Sequence, residues 1–396
     1  MDDAQFSNVG TEMVPELVPM LKLKGNDTTC KPVNSMLKQT VQERIAEKIL
    51  MTYVLENDDI GHASTVTYGP LEINQFSICF PLSAMFGDSY RSFYVKIPKW
   101  DMYKRTDRTI MPLTQADKLF AADEYRSLKI METEWEGSDL DVTFAKPVCF
   151  IEEYNAIVTE RFFGADFFKQ YRWNDIRRKA GIRVRGKDPV HSAMGRIGRA
   201  LARFHKKSAT PATFSSCDFI EKIKHYRNLL ESHGRHYPLL DKVEKKIYKT
   251  NDIQADVYTG TTFKGIDIRN ILMDPKNGRL CLLDPGKLKR NFLEADLARF
   301  ILTCRILYWG SYAFFMHLTP HISYENQFVD AFYEGRKGNQ KLRSLFIIKE
   351  YLKHWVMAYN VITLKKWPAV MKRLVASTYL NPFYHGSIQK ELVNLE

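Results

Sequence analysis

The segment from Phe263 to Phe300, FKGIDIRNILMDPKNGRLCLLDPGKLKRNFLEADLARF, leaves this chain the fewest folding options. Ile271-Leu272-Met273 and Leu280-Cys281-Leu282-Leu283 are two apolar β-type runs, and Asp274-Pro275-Lys276-Asn277-Gly278 between them is turn chemistry. A hairpin of this kind brings Asn270, just before its first strand, and Asp284, just after its second, to the same end. An amide oxygen and a carboxylate converging there suit Mg²⁺, a hard cation that takes oxygen ligands and can also hold a nucleotide's phosphates.

The elements around this hairpin follow a definite order. Residues 1–40 read as an irregular extension, with a turn at Gly25-Asn26-Asp27, and Val41 to Leu55 has the apolar spacing of an amphipathic helix. Thr65 to Tyr68, Asn74 to Phe80 and Ser92 to Ile97 are short β-type runs separated by Gly69-Pro70 and Gly87-Asp88, which predicts an antiparallel meander. A helix is expected over Gln115 to Glu134, then strands over Val142 to Phe150 and Ala156 to Phe162, ending at Gly164. Beyond Gly164 the pattern is helical, apart from a strand–loop–strand unit at Asp256 to Leu283. The expected class is α+β: an extension over 1–60, a small antiparallel β-rich lobe over 61–164 and a larger, mostly helical lobe over 165–396.

Asn-Ile-Leu, a turn, Gly-Arg-Leu, an apolar strand and Asp-x-Gly together resemble the catalytic core of the aminoglycoside-phosphotransferase and choline-kinase-like family, which has a protein-kinase-like, two-lobed fold. The resemblance implies that Asn270 is the metal-binding asparagine and that Asp284, in Asp284-Pro285-Gly286, is the aspartate of the Asp-Phe-Gly motif. Asp296-Leu297-Ala298 matches the family's Asp-Leu-Ala, whose aspartate braces the active-site loops, and Ile197 to His205 is similar to the helix before the catalytic loop. In the small lobe, Tyr94-Val95-Lys96-Ile97 resembles the strand whose lysine contacts nucleotide phosphates, where negative charge must be neutralised during phosphoryl transfer. Glu124 is then the helix partner that holds Lys96 extended. Asn155 to Gly164 resembles the hinge, where backbone groups from Thr159 through Glu160 to Arg161 would meet a purine edge. The implied cofactors are ATP or GTP and Mg²⁺.

The chain departs from the family at the catalytic loop. The family's loop aspartate, which orients the acceptor hydroxyl and takes its proton, stands five residues before the asparagine; here that place holds Gly265, and Phe263 holds the histidine place. The loop carboxylate present is Asp267. Either the loop is rearranged and Asp267 serves as base or hydroxyl-orienting group, or the chain is an inactive pseudokinase that binds nucleotide or an acidic partner. The phosphate-covering loop is also poor in glycine, with Gly69-Pro70-Leu71-Glu72 where backbone N–H groups should approach an anion, and Gly87 belongs in the next hairpin turn.

Charge bears on the acceptor. The chain carries a net +12, and Lys169 to Lys207 holds 13 Lys or Arg against two acids, Asp175 and Asp188. A basic acceptor such as an aminoglycoside does not suit that segment; an anionic small molecule, a sugar phosphate or a lipid-linked glycan does, engaged by Arg177-Arg178 and Arg183 to Lys187. Contact with a membrane surface through 169–207 is a second use of the same charge. Nothing in the pattern points to nucleic acid, because aromatic residues do not interleave with the basic run. The C-terminal aromatics, among them Trp309, Trp355, Tyr359, Trp367 and Tyr384, read as helical core, with an apolar acceptor groove or a membrane-surface contact as the alternative, and the isolated His205 and His317 read as structural. Six scattered cysteines, no basic run followed by an apolar one at the N-terminus, and no uninterrupted apolar span (Phe300 to Leu318 is broken by Arg305 and His317) predict a cytoplasmic protein, at most peripheral to a membrane.

Overall fold

Alternation of apolar and polar side chains builds the first sheet, as seen in a computed structural model that describes residues 41–51, 63–74, 76–99, 113–136, 138–181, 188–232, 236–250, 253–312 and 322–395. Residues 41–51 form helix α1, the described part of the helix expected over 41–55. Four strands follow: β1 (Ala63–Tyr68), β2 (Glu72–Ile73), β3 (Ser77–Phe86) and β4 (Ser89–Pro98). Helix α2 (Gln115–Glu134) leads to β5 (Val142–Phe144), β6 (Pro147–Ile151), β7 (Ala156–Glu160) and β8 (Ala165–Asp166). The sheet runs β1-β3-β4-β7-β6 with β2 on β3, all antiparallel, so the expected meander is present.

Along β4, Phe93, Val95 and Ile97 are buried, and they share a core with Ile45 and Ile49 of α1, Phe80 and Val158. Because strand side chains alternate faces, Tyr94 and Lys96 point to the opposite face. The expected single strand over Val142 to Phe150 divides. β5 ends at Phe144, the Ala145 N–H donates to the Leu282 carbonyl at 2.8 Å, and β6 starts at Pro147. Proline has no N–H to give a ladder, so the chain changes sheets there.

The hairpin of β11 (Ile271–Met273) and β12 (Leu280–Leu282) is completed by a parallel pairing with β5 and an antiparallel one with β8, in the order β5-β12-β11-β8. The chain thus separates into two compact units that do not follow chain order. Of the described residues, one comprises those from 41 to 166 with Asn270–Leu288, and the other those of Phe167–Arg269 with those from Lys289 onwards. The hairpin therefore belongs to the β-rich unit although it lies far downstream in sequence.

The second unit is helical: α3 (Phe167–Lys179), α4 (Pro189–Ser208), α5 (Ser216–Glu231), α6 (Pro238–Lys249), α7 (Glu294–Tyr312), α8 (Ile322–Phe332), α9 (Gln340–Leu364), α10 (Ala369–Val375) and α11 (Asn381–Val393). A small sheet of β9 (Thr210–Pro211), β10 (Tyr258–Thr262) and β13 (Lys289–Phe292) accompanies them. Helices α4 and α8 touch at Gly198, where a Cβ would lie 2.5 Å from the Phe328 carbonyl oxygen, so a larger residue would force them apart. Trp355, Tyr359 and Tyr384 are buried, in keeping with the core reading of the aromatic C-terminal third, and Trp367 is half-buried. Residues 1–40, 183–187, Phe314, Phe315 and His317 lie outside the described residues, as do the side chains of Tyr308, Trp309 and Tyr312. Among the described residues, no helix is long and apolar enough to cross a membrane.

Candidate active site

Three separated segments of the β-rich unit meet at one ammonium group. Lys96 Nζ donates to Glu124 Oε1 at 2.7 Å and to Asp284 Oδ2 at 2.8 Å. Strand alternation turns Lys96 away from the core. Glu124 lies in the buried stripe of α2 (Asp117, Ala121, Glu124, Leu128, Met131), whose spacing is that of one helix face. The helix start is held by a capping box between Thr114 and Asp117. Asp284 follows β12, where the Leu283 N–H donates to the Asn270 carbonyl at 2.8 Å and so sets Asn270 beside the strand end that carries Asp284. The second Asp284 oxygen accepts from the Gly286 N–H at 3.0 Å. Gly286 has φ +60°, a conformation that glycine adopts at no steric cost. Beyond it, the Leu288 N–H donates to Ser127 Oγ and Lys287 pairs with Asp123, so the segment after Asp284 is tied to α2.

Electrostatics follow from the count of charges. Burial works against the Lys96 charge, but Asp284 and Glu124 together hold its pKa above the usual lysine range. Glu124 is 2% exposed; burial, with Asp284 nearby, pushes its carboxyl up to about 7 against the pull of Lys96. Two carboxylates share one cation, and Glu124 Oε2 is buried without a hydrogen-bond partner among the described residues. A site with this surplus of anionic oxygen, with the Asn270 amide on the same hairpin end, fits a divalent cation. Among the described residues, no group of three or more His, Cys, Asp or Glu forms a metal cluster of its own.

In the helical unit, Asp296 and His205 are both 1% exposed. His205 Nε2 is 2.9 Å from Asp296 Oδ2, and both Asp296 oxygens accept from the Phe263 N–H at 3.0 Å. His205, read from sequence as isolated, therefore has a partner, and the pair anchors the start of the loop that leads to Asp267. Phe263, in the histidine place, packs its ring 4.7 Å from that of Phe204.

Asp267 is 1% exposed and held by one residue. Its Oδ1 accepts from the Arg269 N–H at 2.9 Å and Nε at 3.1 Å, and its Oδ2 from Arg269 Nη2 at 2.7 Å. Burial opposes its charge, yet Arg269, with Arg299 beyond it, holds the carboxyl below the usual aspartate range. It stays ionised and is a weak proton acceptor while so bound. Asp267 lines a small cleft with Arg299, Thr303, Glu350, Lys353 and His354. His354 donates to or accepts from the Tyr384 hydroxyl through Nδ1 at 2.6 Å, and its Nε2 has no partner among the described residues. The cleft residues Arg299, Thr303, Glu350, Lys353 and His354, on α7 and α9, were not singled out from sequence; the one local signal was charge in otherwise apolar helices.

Glu350 in this cleft yields a pH prediction. It is buried, and Lys349, Lys353 and Arg299 overcome the burial penalty and hold its carboxyl down to about 2. A depressed carboxylate contributes stability that is full above its unfolded value near 4.3 and is lost as pH falls through the folded value. Wild type should therefore lose about 3 kcal/mol more stability than Glu350→Gln between about pH 5 and pH 2, read by urea titration at each pH. Parallel pH profiles would remove this role.

The remaining expected positions are less engaged. Glu160 is exposed at the end of β7 and pairs with Lys146 at 3.3 Å. The Glu160 N–H donates to the Lys146 carbonyl and the Arg161 N–H to the Ser92 carbonyl, so a purine edge read by backbone donors would need ones past Arg161. Gly69 packs against Pro81, whose Cγ lies 2.7 Å from where a Cβ would stand, and Gly87 (φ +55°) makes the turn between β3 and β4. Close packing and turn geometry account for both glycines. In the basic segment, Lys179 pairs with Asp175 at 2.8 Å, Arg178 with Asp188 at 3.8 Å and Arg199 with Glu334 at 3.8 Å.

No family model matches the chain, and no curated protein does. Solved structures similar to it include a choline kinase from Cryptosporidium parvum (10% identity, TM-score 0.49, covering 89% of this chain and 95% of that one). An ethanolamine kinase from Plasmodium vivax is similar at 12% identity and TM-score 0.47, over 91% of this chain and 98% of that one. A choline kinase from Streptococcus pneumoniae is similar at 14% identity and TM-score 0.46, over 90% of this chain and 99% of that one. These likenesses assign no chemistry to the chain.

Proposed function

We propose that this chain is a phosphotransferase that moves the γ-phosphoryl group of ATP or GTP, with a divalent metal such as Mg²⁺, onto a hydroxyl of a small anionic acceptor or glycan. One observation carries this reading: Lys96, on a strand, lies within hydrogen-bond reach of both Glu124, on a helix, and Asp284, at a hairpin end. No packing requirement places a lysine between two buried or half-buried carboxylates, which is costly to desolvate. Glu124 keeps the ammonium extended, and the ammonium neutralises phosphate oxygens. Asn270 and Asp284 would hold the metal, which supplies further neutralisation of charge on the transferred group.

In the transfer, the bond from the γ-phosphorus to the bridging oxygen breaks, its electron pair staying on the nucleoside diphosphate, as the acceptor oxygen bonds to phosphorus and the hydroxyl proton passes to solvent water. Asp267 is assigned to orient that hydroxyl. Its bidentate hold by Arg269 makes it an orienting acceptor more than a strong base. The anionic class of acceptor is supported by the excess charge of 169–207 and by Arg299 and Lys353 around the cleft that Asp267 lines.

Asp267→Asn should lower kcat by about 10²-fold with nucleotide affinity unchanged, because an amide keeps one acceptor oxygen but loses the charge. Full activity in that variant would end the assignment. The second reading, a nucleotide-binding pseudokinase, is favoured by the same Arg269 clamp and by Gly265 in the aspartate's place. A thermal-shift titration with ATP, GTP and Mg²⁺, run beside a turnover assay over anionic hydroxyl compounds, separates the two. Metal-dependent binding without turnover of any acceptor would favour the pseudokinase.

A further inference from the structure

From Tyr351 to Lys390 the chain runs 40 residues without an aspartate or glutamate, while Lys353, Lys365, Lys366, Lys372, Arg373 and Lys390 fall within it. Helix α10 lies in this stretch and has no buried residue. Val370, Met371 and Leu374 on it are 76%, 47% and 53% exposed. Their spacing puts all three on one face of the helix. Among the described residues, the other exposed large apolar side chains (Met51, Leu119, Trp173 and Tyr248 among them) stand one to an element, which is ordinary for a protein surface. Three on one face of a helix with no buried residue is a different arrangement, of the kind that marks an interaction surface.

The patch is held in place. Lys372 Nζ donates to the Thr363 carbonyl at 2.8 Å across the connection from α9. On the other side, the π-helical turn Ala376–Leu380 roots the segment through Ala376 and Leu380, which are 7% and 2% exposed. Lys365, Lys366 and Arg373 are exposed beside the apolar face, and Trp367 is half-buried between them.

We propose that this face of α10 seats on an anionic lipid bilayer. A bilayer offers in one plane what the patch displays: hydrocarbon for Val370, Met371 and Leu374, and anionic headgroups for Lys365, Lys366 and Arg373. A second copy of the chain suits it poorly, since a two-fold contact through this patch would set each cationic cluster against its own image, with no acid from 351 to 390 to offset it. The seat is independent of the phosphotransferase reading. It also differs from the contact expected over 169–207, where several of the cations are engaged within the chain.

The test is co-sedimentation of the full chain with vesicles of phosphatidylcholine alone and of phosphatidylcholine containing about a third phosphatidylserine. The chain should sediment with the anionic vesicles, much less with the neutral ones, and less as salt rises. The triple variant Val370→Ser, Met371→Ser, Leu374→Ser should reduce the partition coefficient about tenfold or more. Lys365→Gln with Lys366→Gln should also reduce it by about tenfold or more, since each cation near such a surface is worth roughly fivefold. Both variants change exposed side chains only, and an unchanged Tm checks the fold. Equal partition on the two vesicle types, or no loss in the serine variant, overturns the proposal. So does sedimentation equilibrium showing a wild-type dimer that the serine variant makes monomeric, which would give the face to a second copy.

Discussion

Asp284→Asn will abolish the metal-dependent part of nucleotide binding and lower turnover by about 10³-fold or more. The carboxylate has two oxygens with separate duties: one receives Lys96 at 2.8 Å, the other the Gly286 N–H at 3.0 Å. An amide can accept at one position but presents an NH₂ at the other, and it removes the charge that a divalent cation needs. The measurement is a thermal-shift titration with nucleotide, with and without Mg²⁺, beside steady-state kinetics. Wild type should show a shift that requires both components; the variant should show only the weaker, metal-independent part that Lys96 supports. Retention of the full metal-dependent shift would detach Asp284 from the metal and with it the proposed chemistry. Loss of turnover with the shift intact would instead place the residue in orientation alone.

Lys96→Met will destabilise the protein by about 3 kcal/mol, the scale expected when one partner of a buried ion pair is removed. Methionine preserves the packing of the stem but leaves Glu124, 2% exposed, without its cation. The pH dependence identifies the cause. Glu124 already has its carboxyl pushed up to about 7 by burial and Asp284, and loss of Lys96 pushes it further. A carboxyl with a raised folded-state pKa contributes stability that is full below its unfolded value near 4.3 and is lost as pH rises through the folded value. The deficit of Lys96→Met should therefore be largest above pH 7 and shrink towards pH 5, and Glu124→Gln added to it should recover much of the loss. A pH-independent deficit would mean that the methionine simply packs badly.

The hairpin around Asn270 and Asp284 was legible from residues because both of its strands and its turn are local. A run of three or four apolar residues, Asp274-Pro275, and Gly278 with φ +73° are signals contained in a dozen positions. Helix α2 was read to its observed ends, since Thr114 and the periodic stripe that contains Glu124 mark it within the segment itself. The expected Val142 to Phe150 strand failed at Ala145-Lys146-Pro147 because apolar alternation continues across a point where the chain changes sheets. That change depends on the Leu282 carbonyl, nearly 140 residues downstream.

What the residues determined alone is the kind of groups available: a strand lysine, a helix glutamate, an Asn…Asp hairpin, a glycine where a loop aspartate was expected, and a C-terminal stretch without acids. Their relation was decided by tertiary structure. Two carboxylates on one ammonium, the surrender of Asp267 to Arg269 and the pairing of His205 with Asp296 join residues from 2 to 188 positions apart. So did the exposure of Val370, Met371 and Leu374, which by composition could as well have been core. Local patterning encodes which way a side chain faces along its own helix or strand, but charge neutralisation and burial belong to whatever the fold brings opposite it.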